Sequence, residues 1–329
     1  MEHHSSPLIK DLDNLINQCK SNAFAPSTSR TYLTQRNSYL RFCQLINIPP
    51  VPATSRNICR YAVYLSKSKK YNTIKQYLNI IRLIHLECNL PNPLLNDFQL
   101  EMVLRGLKRS LGTQVLRKIP ITVNHLYIIK NKIDFSSTLH VVYWAAALLM
   151  FFTLLRRSNV LAPSGGHAPG HYLKRKDISI HDKGASLTIR SSKTIQFRDR
   201  VLIFPLPRLR THPLCPTRAV YGALKAVNAS PDSPAFMLSS STPLSPETFI
   251  KLTRQFLSDS VSDPSLIGGH SFRRGGASFC FQNNFNTELI RILGDWVSDS
   301  YKDYILPSEA LLASASAQFA EAIKKFPFS

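Results

Sequence analysis

The sequence predicts a mainly α-helical chain with a small antiparallel sheet (α+β), and three observations carry that prediction. The chain has 329 residues, too many for one small domain, so two domains are the default. Apolar residues recur at helical spacing through residues 24–112 and again over much of the second half. Strand-like stretches are confined to three short runs between residues 177 and 204. With 44% hydrophobic and 19% charged residues, a sizeable core is available and the composition disfavours wholesale disorder.

Residues 1–23 read as an N-terminal extension. Ser27 or Ser29 can cap a first helix with Tyr32, Tyr39, Leu40 and Cys43 on one face. PPVPAT stops it, and Thr54 or Ser55 can cap a second with Ile58, Tyr61, Ala62 and Leu65 on one side. A third opens near Asn72 or Thr73 and shows the cleanest period: Ile74, Tyr77, Leu78, Ile81, Ile84 and Cys88. Its opposite face offers Lys75 and Arg82, seven residues apart on one stripe. A fourth carries Leu100, Val103, Leu104, Leu107 and Leu111 and ends at Gly112, placed as a C-cap. Residues 24–112 therefore form a helical bundle, and TQVLRKIPI (113–121) a basic linker.

The remaining residues, 122–329, form the mixed domain. Helical pattern runs over 122–155 in two pieces. The apolar run Val141–Leu155 falls short of a membrane span and reads as a buried core helix. DISIHD (177–182), SLTIRS (186–191) and DRVLIF (199–204) are the strand candidates, the first two split by a DKGA turn. Thr287 can cap TELIRIL, Gly294 closes it, and Ser298 can cap a short helix with Tyr301 and Tyr304. After Pro307, Leu311, Leu312, Ala315, Phe319 and Ile323 share one side of a helix over about 308–323.

Charge narrows the function. Forty-one Lys and Arg face twenty Asp and Glu, a net charge of +21. The surplus is spread: residues 24–118 carry +12 and residues 119–329 carry +10. That favours a polyanionic partner, nucleic acid before a membrane surface, since no basic amphipathic helix with a bulky apolar face stands out. No signal peptide is apparent at the start. Six cysteines (19, 43, 59, 88, 215, 280) lack any C-x-x-C pair and read as reduced thiols, not a zinc site. The compartment expected is reducing, the nucleus or the cytosol.

The densest local signal is GGHSFRRGGASFCFQNNFNTELIRILGDWVSDSYKDY, residues 268–304. His270 and Arg273, three apart, project from one face of a helix start. About twenty residues later comes Gly-x-Trp with Trp296, and Tyr304 lies eight residues beyond it. Alone, each feature has a bland reading: Arg156 and Arg157 complement the dipole of the apolar helix before them, and Tyr301 and Tyr304 compete as core or functional residues.

In that order and spacing the sequence resembles the tyrosine recombinase (phage-integrase-like) family, and more closely the Crypton and DIRS-type recombinases of eukaryotic transposons. The resemblance covers about residues 24–323, its specific motifs all lying in the second half. It implies an N-terminal core-binding (SAM-like) bundle and a C-terminal DNA breaking-rejoining catalytic domain. FFTLLRRSNVL matches the segment carrying the family's first Arg, with Arg156 in that position. Leu154 replaces the family's Gly there, and Asn159 replaces its acid. Lys193 in SSKTIQ matches the hairpin Lys, His270 and Arg273 the H-x-x-R pair, Trp296 the His/Trp position and Tyr304 the nucleophile.

The chemistry so implied suits these residue types. Two guanidiniums, Arg156 and Arg273, each donate paired hydrogen bonds to a phosphate's non-bridging oxygens. A tyrosine oxygen attacks phosphorus and leaves a 3′-phosphotyrosine. His270 takes the hydroxyl proton and Lys193 gives one to the departing 5′ oxygen. Neither metal nor nucleotide cofactor is needed, in keeping with the missing P-loop and carboxylate cluster. The expected partner is double-stranded DNA, with Lys75, Arg82, Arg157, Arg190, Arg198 and Arg274 as contacts. The resemblance also implies a homo-oligomer, a tetramer on two DNA sites, with the C-terminal helix exchanged between protomers, acting in the nucleus. Two rivals stay open: a recombinase-derived DNA-binding protein that no longer cuts, and a type IB topoisomerase.

Overall fold

Proline, not serine, starts the first long helix of the bundle. The computed structural model describes residues 7–114, 117–164, 171–192, 195, 200–305, 307, 313–314, 316–318 and 321. Its contacts divide the chain into residues 1–115 and 116–329. The first unit holds α1 (Pro7–Ser21), α2 (Pro26–Leu45), α3 (Ser55–Ser66), α4 (Tyr71–Glu87) and α5 (Phe98–Leu111). Ala25 is the N-cap of α2 and Pro26 opens it with a pre-set φ, so Ser27 and Ser29 fall inside the first turn. Thr54 caps α3 by accepting from the Asn57 amide. Asp97, not singled out by sequence, caps α5, and Gly112 ends it at φ 67°.

The bundle core is Tyr39, Phe42, Ile58, Tyr61, Ile74, Leu78, Ile81 and their neighbours, the predicted faces of α2, α3 and α4. Leu111 is exposed. Buried His85 accepts from the Ala53 amide through Nε2 at 2.9 Å, and its Nδ1 donates to the Ile81 carbonyl at 2.7 Å. With both ring nitrogens hydrogen-bonded, His85 ties the loop before α3 to α4.

The second unit holds α6 (Val123–Lys132), α7 (Thr138–Thr153), α8 (Arg157–Val160), β1 (Ile178–His181), β2 (Gly184–Ile189), β3 (Leu202–Pro207), α9 (Pro216–Ala226), α10 (Pro246–Phe256), α11 (Ser271–Gln282) and α12 (Thr287–Leu293). A 3₁₀ turn, Asp299–Asp303, follows. Helix α7 is buried on every side from Val142 to Phe151, which its unbroken apolar run requires, and the second core forms around it. Its Tyr143 donates to Thr253 of α10 at 3.1 Å.

The strands form one antiparallel sheet in the order β1-β2-β3. The register pairs Ile178 with Leu187 and Leu187 with Phe204. Strand β3 runs three residues later than expected, through Pro205 and Pro207, because as an edge strand it can lack those donors. The first turn is also tighter than DKGA: Gly184 already pairs with His181.

Two further expectations need correction, and a third falls largely outside the described residues. The linker assigned to 113–121 is part of the second unit at its end: the Ile119 and Ile121 amides donate to Leu266 and Ser271, and Ile121 is buried in the core. Alternating isoleucines on extended, proline-containing backbone make that pairing favourable. Asn286, not Thr287, caps α12. The helix expected over 308–323 lies largely outside the described residues, of which 313–314, 316–318 and 321 are helical. All six cysteines are free, and among the described residues no helix is long and apolar enough to cross a membrane.

Candidate active site

Helix α11 carries Arg273 into the core by close backbone approach, while His270 stays exposed at its start. A Cβ on Gly275 would lie 1.8 Å from the Ile121 carbonyl oxygen, and one on Gly276 2.2 Å from that of Phe151. Only glycine allows α11 to lie so near residue 121 and α7. His270 is the N-cap of α11 and Arg273 sits in its first turn.

Arg273 is the hub. Only 1% exposed, it donates from Nη1 to the Leu154 carbonyl at 2.5 Å and from Nη2 to the Gly294 carbonyl at 2.7 Å. Its guanidinium carbon lies 3.7 Å from the centre of the Trp296 ring and 5.3 Å from that of Tyr304. Nε is buried without a partner. Burial first, then the positive charge of Arg156, pushes its pKa down to about 9, so the charge persists at neutral pH but is held against desolvation. An anion beside it would relieve that cost.

The two carbonyls that hold Arg273 come from left-handed turns or their neighbours. Leu154 ends α7 at φ 53°, turning the chain so that Arg156 follows as the N-cap of α8. Its side chain is buried with Ala277, Ile290, Trp296 and Tyr301. Gly294 ends α12, where a Cβ would lie 1.6 Å from the Trp296 ring. Asp295 follows at φ 49°.

Tyr304 lies at the end of the 3₁₀ turn capped by Ser298. Its hydroxyl is 3.2 Å from His270 Nδ1, and its ring centre 5.1 Å from that of Trp296. Tyr301 is buried beside Trp296 in the apolar cluster. The structure thus gathers His270, Arg273, Trp296 and Tyr304, with Arg156 within electrostatic reach of Arg273. Lys193 and Arg198 lie outside the described residues. Asn159, where the family has an acid, is buried, and its backbone carbonyl accepts from Leu173 at 2.8 Å.

The residues expected on DNA are dispersed. Lys75 is exposed on α4, while Arg82 is half-buried and donates to Asn79 at 2.9 Å. Arg157 is half-buried, reaching the Pro246 carbonyl at 3.5 Å. Arg190 is exposed beside Asp177 at 3.4 Å. Arg274 departs from the expectation: it is 7% exposed and donates to the Asp303 carbonyl at 3.0 Å, a buried tether in place of a surface cation. Sequence reading also missed the pair Arg200–Asp295, 2.7 Å, which ties the chain before β3 to the Gly294–Trp296 turn. Its one signal was an Asp directly after Gly294, since Asp tolerates left-handed backbone. Among the described residues no cluster of His, Cys, Asp or Glu could hold a metal.

No family model matches the sequence. The chain is 22% identical over 274 residues, 81% of its length and 77% of the other's, to an integrase/recombinase XerD homolog of Selenomonas ruminantium. It shares its fold with the integrase of transposon Tn1549 in complex with circular intermediate DNA, at TM-score 0.58 and 14% identity over 92% of this chain and 97% of that one. A lambda integrase tetramer bound to a Holliday junction matches at TM-score 0.58 and 15% identity over 91% and 84%. In fold, and in its likeness to a relative of that kind, the chain is similar to the tyrosine recombinases.

Proposed function

We propose that the protein is a site-specific DNA recombinase that cuts and rejoins strands through a 3′-phosphotyrosine, as a mobile-element integrase of the Crypton and DIRS kind. The observation that carries this is the Tyr304 hydroxyl 3.2 Å from His270 and beside the buried Arg273 charge. In the cutting step, the Tyr304 oxygen attacks the phosphorus while His270, protonated on Nε2, accepts the hydroxyl proton at Nδ1. The phosphorus–oxygen bond to the 5′ carbon breaks, and Lys193 protonates the departing oxygen. Each terminal nitrogen of Arg273 has a second N–H beyond the one given to a carbonyl, so with Arg156 it can donate to the non-bridging oxygens. Rejoining is the same path reversed, with a 5′ hydroxyl as nucleophile. Metal and nucleotide cofactors have no part in it.

Lys75, Arg82, Arg157, Arg190 and Arg198 would contact the duplex, and a homotetramer on two DNA sites, formed in the nucleus, would complete exchange. The lambda integrase tetramer on a Holliday junction supports that assembly by analogy of fold. The test is a pool of nicked duplexes with a randomised core, which trap a cut strand because the released piece diffuses away. Wild type should give an SDS-resistant adduct. Tyr304→Phe should remove it and leave DNA binding intact, and Tyr301→Phe should retain it. Binding without any adduct would favour a silent DNA-binding protein; relaxation of any plasmid without intermolecular joining would favour a topoisomerase.

A further inference from the structure

Two side chains of α11 that the cleavage chemistry does not use reach the backbone on which Tyr304 is mounted. Arg274 donates from Nη1 to the carbonyl of Asp303 at 3.0 Å. Ser278, one turn later on the same stripe, donates from Oγ to the carbonyl of Tyr304 at 3.2 Å. The acceptors are consecutive residues. Arg117 adds an ion pair to the Asp303 carboxylate at 3.5 Å, and the Tyr304 amide donates to Tyr301 at 2.9 Å. The peptide units on both sides of Tyr304 are therefore anchored, leaving its side-chain torsions as the main local freedom.

A guanidinium 7% exposed, with Nε buried and unpartnered, is poorly placed to serve a phosphate at the surface. It is well placed to hold a carbonyl. The same helix presents His270 at its start and Arg273 in its first turn. We infer that Arg274 and Ser278 are positioning residues that latch the Tyr304 segment onto α11, so that the nucleophile and the phosphate-holding guanidinium are registered by one rigid helix. The inference rests on the cleavage reading above, and it concerns the rate of attack, not the grip on DNA.

The experiment uses the full chain and the duplex recovered from the randomised nicked pool. Adduct formation is followed in single turnover at saturating protein, with affinity measured separately across a salt series. Arg274→Ala should slow adduct formation about 100-fold, the scale of a misplaced reacting group. Ser278→Ala should slow it about 3- to 10-fold, the scale of one lost hydrogen bond. Arg274→Lys and Ser278→Thr, which keep a donor, should recover part of the rate. Affinity and its salt slope should match wild type in all four. If Arg274→Ala fails to fold, the Ser278 pair carries the test, since that small change leaves the helix core intact. Unchanged rates in both alanine variants would overturn the latch while leaving cleavage by Tyr304 standing. So would an affinity loss with the salt slope lowered by about one unit, the mark of a lost phosphate contact. A wild-type protein that forms no adduct would remove the cleavage reading and the latch together.

Discussion

Position 154 asks two incompatible things of one residue. Its φ of 53° suits glycine, while its buried side-chain site beside Trp296 and Tyr301 suits leucine. Left-handed backbone costs a non-glycine residue about 1–2 kcal/mol, whereas emptying a buried leucine site costs about 2–5 kcal/mol. Leu154→Gly is therefore expected to destabilise the second unit by up to about 4 kcal/mol in urea unfolding, and a gain in stability would show that backbone strain dominates. Arg273 makes a different prediction. Because burial and Arg156 oppose its charge, inorganic phosphate should stabilise the free protein, by about 2.7 kcal/mol at a hundredfold excess over Kd. The shift in Tm should vanish in Arg273→Ala. The sign follows from the pKa of about 9: at neutral pH the guanidinium is charged and disfavoured by its surroundings, so the intrinsic penalty fades only as pH rises past 9 toward its ordinary value.

At the scale of elements, α11 is held by surfaces that leave no room for a methyl group. Gly276→Ala would drive a Cβ to 2.2 Å from the Phe151 carbonyl oxygen, and backbone on both sides has little freedom to yield. The expected cost is about 1–3 kcal/mol or more in unfolding measurements, with loss of cleavage as Arg273 moves. What the sequence revealed of these elements depended on whether the cause was local. The faces of α3 and α4, the Thr54 cap, Gly112 and Ser298 were legible because periodicity and capping act within a few residues. The shift of β3, the pairing of Ile119 and Ile121, and the burial of Arg274 were not, because each is decided by a neighbour remote in sequence. That His270, Arg273, Trp296 and Tyr304 lie together was expected from their order and spacing, and the pairing of Arg200 with Asp295 was not, since nothing local joins those residues.

For the whole molecule, +21 of charge makes salt dependence the broad prediction. With roughly 6–10 phosphates neutralised, affinity for duplex DNA should fall about 10³- to 10⁵-fold between 50 and 200 mM salt. A nearly flat dependence would mean that the basic surface faces something else. The covalent bond to DNA, by contrast, should form at Tyr304 and at no other side chain, and the sequence provides a sharp way to see it. Lys302 separates the two candidate tyrosines, so trypsin leaves Tyr301 on the peptide 292–302 and Tyr304 on the peptide 303–324. The decisive measurement is tandem mass spectrometry of the SDS-resistant adduct after nuclease trimming and trypsin digestion. The account predicts a nucleotide joined through its 3′-phosphate to Tyr304. The same nucleotide on Tyr301, or on any other side chain, would contradict it.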